Sequence, residues 1–92
     1  MRSIWRSDID SLSFRPQGHG GDCIVHRRAF QTLLGFDPSP DTCEVWFSEH
    51  RAAFQNAAET KIARDGPRID SNFHLTSRDV ARALTMKSTS AD

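Results

Sequence analysis

No apolar run in this sequence approaches the ~18–20 residues that a membrane-spanning helix requires, and no apolar stretch near its start resembles a signal peptide. An excess of either charge is missing as well. Twelve Lys and Arg balance twelve Asp and Glu, so the formal charge is zero with histidine neutral. That balance removes the usual electrostatic footprint of a nucleic-acid binder. Cysteine is scarce: Cys23 and Cys43 are too few for a disulfide scaffold. Both are expected as reduced, buried thiols in a cytoplasmic protein. No internal repeat and no heptad pattern is present.

What remains is enough for one small domain. Ninety-two residues suit a single compact unit, and six Phe with two Trp supply bulky apolar surface for one modest core. Residues 1–10 carry no clear period and are expected as a flexible N-terminal arm. Residues 85–92 are small and polar and are expected as a disordered tail, leaving 11–84 as the folded domain.

Within that domain, Ser11–Arg15 alternates polar and apolar, which places Leu12 and Phe14 on one face of a strand. A glycine-rich loop after Pro16 leads into a second strand, Asp22–His26, so the two form an antiparallel hairpin. Ile24 and Val25 are adjacent and point to opposite faces, which predicts a central strand covered on both sides. Arg27–Leu34 has helical spacing, with Gly35 as its stop.

A long helix of ~24 residues follows, opened by Ser39 as cap with Pro40 in the first position, or by Asp41 with Glu44, and closed by Gly66-Pro67. Its apolar stripe holds Cys43, Trp46, Phe47, Phe54, Ala57 and Ala58, with Val45, Ala52 and Ala63 on the opposite side. His50 and Lys61 intrude into the stripe, and Arg51 lies on its edge. Ile69–Leu75 alternates again as a third strand. Thr76-Ser77-Arg78-Asp79 is an N-cap signature for a short last helix ending near Leu84. The expected class is α+β: a small antiparallel sheet, made of a hairpin plus a third strand, packed against one long and two short helices in the order ββααβα.

Leu12-Ser-Phe14, Gly21-Asp-Cys23-Ile-Val and Ala29-Phe30, followed by Phe47, Arg51, Phe54, Ala57-Ala58, Lys61 and Phe73-His-Leu75-Thr-Ser77-Arg-Asp79, form an ordered set. This set resembles the small bacterial family called domain of unknown function 1488. The resemblance covers most of residues 11–84. It implies a short cytoplasmic bacterial protein with a compact α+β fold, and brings no established activity with it. Three features depart from the family. His26 and Arg28 stand where the first helix usually opens with a hydroxyl cap and an acid, and His50 replaces a common amide. The family's extra N-terminal strand is not recognisable in residues 1–10.

The residues offer little chemistry. Cys23, His26, Cys43 and His50 could be imagined around zinc, but Cys23 and His26 point to opposite faces of a strand and only one close pair exists. Gly18–Gly21 joins two strands instead of opening a helix, so it is a turn and not a phosphate cradle. Cys43 near a helix start is the single candidate nucleophile, set against its place on the apolar stripe. Arg27, Arg28, Arg64, Arg68, Arg78 and Arg82 are interleaved with acids, without an aromatic platform for bases.

Trp46, His50, Arg51 and Lys61 remain as candidate binding residues, a polar rim around an apolar patch. The functional expectation is a non-enzymatic protein-interaction module that binds a protein partner or itself as a homodimer, with no cofactor, no metal and no membrane contact. The alternatives are a nucleic-acid-binding accessory and a small-molecule-binding protein.

Overall fold

A computed structural model describes residues 3–66 and 71–90, with only the backbone course given for 86–90. The elements run β1 (Ser3–Arg6), β2 (Ser11–Phe14), β3 (Cys23–His26), α1 (Arg27–Leu34), α2 (Pro40–Glu49), α3 (Arg51–Asp65), β4 (Phe73–Leu75) and α4 (Ser77–Ser90). The strands form one sheet in the order β1-β2-β3-β4. The α+β class is as expected, but the described residues hold one more strand and one more helix than the pattern predicts.

Four expectations are corrected. First, residues 3–6 do not form a loose arm. Ser3, Ile4, Trp5 and Arg6 pair antiparallel with Phe14, Ser13, Leu12 and Ser11. Trp5 packs against the core from this edge while Ile4 stays 66% exposed, so the alternation spans too few residues to stand out.

Second, the sheet is mixed. β2 and β3 form the expected antiparallel hairpin, but β4 lies parallel to β3, with Cys23 opposite Phe73 and Val25 opposite Leu75. Three helices separate the two strands, and a parallel partner needs such a crossover.

Third, the long helix breaks at His50, whose φ of −122° and ψ of 29° leave the helical region. The His50 amide is shared between the carbonyls of Trp46 and Phe47, both at 3.1 Å, and the next helix restarts from the His50 carbonyl. Fourth, α4 continues to Ser90 instead of stopping near Leu84. The expected start of the third strand at Ile69, together with Pro67, Arg68 and Asp70, lies outside the described residues.

The capping chemistry is local and well met. Ser39 accepts from the Thr42 amide at 3.2 Å with Pro40 in the first turn, which is the first of the two predicted starts. Gly35 ends α1 at φ +83°, a left-handed position that costs glycine no Cβ clash. At α4, the Thr76 amide donates to Asp79 Oδ2 at 2.9 Å and the Asp79 amide donates to Thr76 Oγ1 at 3.3 Å. This reciprocal box uses Asp in the place Glu usually fills.

One face of the sheet carries the core. Leu12, Phe14, Cys23, Val25, Phe73 and Leu75 meet Phe30 of α1, Cys43 and Phe47 of α2, Ala53, Phe54, Ala57 and Ala58 of α3, and Val80 and Ala83 of α4. Phe54 sits at its centre, with ring centroids 4.9 Å from Phe47, 5.8 Å from Phe30 and 6.1 Å from Phe14. All four helices therefore lie on this side.

Candidate functional site

Among the described residues, every helix packs on the core side of the sheet and none lies over its opposite face. Side chains alternate along a strand, so Ile4, Arg6, Ser11, Ser13, Ile24, His26 and His74 all point away from the core. Register fixes their layout. Ile4, Ser13, Ile24 and His74 form a row across all four strands, and Arg6, Ser11 and His26 form the row beside it. Arg15 and Asp22 pair at 3.2 Å on the other side of the central row.

The short residues and Ile24 make the floor: Ser11, Ser13 and Ile24 are buried, while Ile4, His26 and His74 are exposed. Ile24 is thus buried as expected but lies outside the main core.

Two shallow hollows flank this face. One of about 330 Å³ is lined by Ile9, Asp10, His26, Arg27 and Arg28, and one of about 370 Å³ by Ile4, Ser13, Phe14, Arg15 and Asp22. Their ionic groups are largely spent on each other. Arg27 donates to Asp10 at 2.8 Å and also pairs with Asp37, and Arg15 holds Asp22. Arg28 is left without an ion pair among the described residues.

The His26 and His74 rings stack with centroids 5.1 Å apart and planes 18° from parallel. His26 Nδ1 lies 2.6 Å from Ser11 Oγ, and Ser11 Oγ donates to the Ile9 carbonyl at 2.8 Å. A hydroxyl has one proton, so Ser11 gives it to Ile9 and accepts from His26 Nδ1–H. This leaves His26 Nε2 as the free nitrogen. The pair resembles a serine–histidine dyad but cannot act as one, because the base points its proton toward the serine. Ser11 is also fully buried. Burial first, then the charges of His26 and Lys61, push the His74 imidazole below its ordinary value.

The residues singled out from sequence are not brought together. Trp46 is half-buried, edge-on to Phe30 and Phe54, and stacks on His50 at 4.2 Å. His50 Nδ1–H donates to the Trp46 carbonyl at 2.9 Å, so this histidine serves the helix break. Lys61 turns to the other end of α3 and pairs with Asp79 at 3.3 Å, where both side chains are largely buried. Arg51 is exposed beside Gln17 and Gln55. Three of the four thus have structural partners, and no shared rim forms.

Neither cysteine is available for chemistry. Cys23 and Cys43 are fully buried and unpaired, and burial pushes both thiols up, Cys43 to about 11. Core packing therefore outweighs the helix start at Cys43. Cys23 lies in the core while His26 lies on the open face, so the imagined zinc ligands stay apart. Among the described residues no group of three or more His, Cys, Asp or Glu could hold a metal ion, and no helix is long and apolar enough to cross a membrane. Sequence reasoning missed the open face because its signal is spread over four strands. Ser11, Ser13, His26 and His74 are small or polar residues at alternating positions, and only the register unites them.

Comparison with protein-family models, with curated proteins and with solved structures finds no match for this chain.

Proposed function

We propose that this protein is a non-enzymatic interaction module that binds a protein partner, a second copy of itself included, through the open face of its sheet. The observation that carries this is the row Ile4–Ser13–Ile24–His74, whose two end residues, Ile4 at 66% and His74, are exposed on the face turned away from the core. Ile4 keeps apolar surface in water at the sheet edge, and association removes it. Membership of the domain of unknown function 1488 family and a bacterial cytoplasmic setting belong to the same proposal, on the residue pattern given above.

Size sets the strength. Four strands ~4.8 Å apart and four residues of ~3.4 Å give a face of about 260 Å². A stable complex needs about 800 Å² from each partner, so contact must spread over the two flanking hollows, and self-association is weak. Sedimentation of the purified chain from micromolar to millimolar concentration tests this. The average mass is expected to rise above that of one chain and to return to it in Ile4→Asp. A wild-type chain that stays monomeric throughout, or an association that Ile4→Asp leaves intact, contradicts the proposal.

A further inference from the structure

β4 is only three residues long, and its hold on the sheet is built from contacts on both sides of the strand pair. The Phe73 amide donates to the Asp22 carbonyl at 3.0 Å, and the Asp22 amide donates to Asn72 Oδ1 at 2.8 Å. His19 Nε2–H donates to the Ser71 carbonyl at 2.8 Å while its ring stands edge-on to Phe73. On the open face, the His26–His74 stack adds a ring-to-ring contact between β3 and β4.

The four histidines of the chain differ in what a second proton would do. His19 and His50 each donate to a carbonyl, a bond that the imidazolium also makes. His26 likewise keeps its bond to Ser11 when charged. The stacked pair is different, because each ring faces another imidazole, and two imidazoliums in contact repel.

The surrounding groups do not relieve that charge. Ser11, Ser13 and Ile24 from the sheet are neutral, and Arg27 of α1 is matched by Asp10 and Asp37 and Lys61 of α3 by Asp79. Among the described residues Arg28 has no ion pair and no carboxylate stands within ion-pair distance of either ring, while Lys61 acts on His74 with the same sign. Asp10, the carboxylate at this hollow, is already held by Arg27.

We infer that His26 and His74 form a proton-operated latch: neutral, they clasp β4 to β3, and doubly protonated, they loosen β4 and turn the open face cationic. The inference rests on the open face as the working surface only for its consequence, which is that mild acid releases the partner. The latch itself is a property of the lone chain. Two unit charges ~5 Å apart in a water-like dielectric shift an equilibrium roughly fourfold.

NMR on the full chain without partner tests it, following the four histidine Cε1–H signals and Phe73 amide exchange from pH 8 to 4.5. His74 is expected to titrate below the ordinary imidazole value and to move up toward it in His26→Gln. After correction for the intrinsic pH dependence, Phe73 exchange is expected to rise roughly fourfold in acid in the wild type and to stay flat in His26→Gln. Should His26→Gln fail to fold, the wild type alone decides: rings coupled roughly fourfold give broadened titration curves of less than unit slope, and uncoupled rings each follow a single curve of unit slope. A His74 midpoint indifferent to His26→Gln, single uncoupled curves, or Phe73 protection constant with pH overturns the latch. Because no partner is in the tube, each of these results stands whether or not the open face docks anything.

Discussion

Phe54 touches more of the aromatic core than any other ring described here, reaching Phe14, Phe30, Trp46 and Phe47. Replacing it with Ala removes those contacts and leaves a cavity that four helices and a sheet cannot close. Phe54→Ala is expected to cost about 3–5 kcal/mol by chemical denaturation, whereas Val45→Ala, at a side chain 59% exposed, should stay within about 0.5 kcal/mol. This contrast was readable in the sequence, because the helical spacing separates Val45 from Phe47 and Phe54.

Asp79 was readable only as a cap. Its burial raises the carboxyl, but the Thr76 amide and hydroxyl and the Lys61 ammonium outweigh that and hold it below the ordinary value. A carboxyl lowered on folding gives stability that is complete above its unfolded value of ~3.9 and is lost as pH falls through the folded value. Asp79→Asn is expected to lose about 1–3 kcal/mol at neutral pH and to flatten that acid-side decline, as melting at several pH values would show. An unchanged acid limb would mean that other carboxylates carry it.

Helices α2 and α3 show where periodicity misleads. A single stripe continues through Cys43, Phe47, Phe54 and Ala58, all buried, so the pattern reads as one rod. The break at His50 leaves that stripe intact and uses neither Pro nor Gly. It is fixed by the bond of His50 Nδ1 to the Trp46 carbonyl and by ring stacking, which exist only after folding.

Strand β4 poses the same difficulty. Its alternation was plain, with Phe73 and Leu75 buried and His74 exposed, but its parallel partner depends on three intervening helices. Gly21 marks the docking point, because a Cβ there would stand 2.1 Å from the Ser71 carbonyl oxygen. Gly21→Ala must push β4 away from the hairpin. It is expected to cost about 1–3 kcal/mol and to raise exchange at the Phe73 amide before it affects β2, measured by hydrogen exchange.

At the scale of the whole fold, the described residues place four helices on one face of a four-stranded sheet and none on the other. The candidate site was poorly readable for that reason. The pattern reads Trp46 as an apolar patch with His50 and Lys61 in its polar rim, but Trp46 belongs to the core edge, His50 to the helix break and Lys61 to the α4 cap. The open face is assembled from four separate segments, and Ile4 entered it only through a strand too short to show a period. Amide chemical shifts recorded across a concentration series test the use of this face most directly. Ile4, Ser13, Ile24 and His74 should shift together as concentration rises, and Ile4→Asp should abolish the change. Shifts gathered instead around Phe36 and Val45, or none at any concentration with or without a partner, would contradict the assignment.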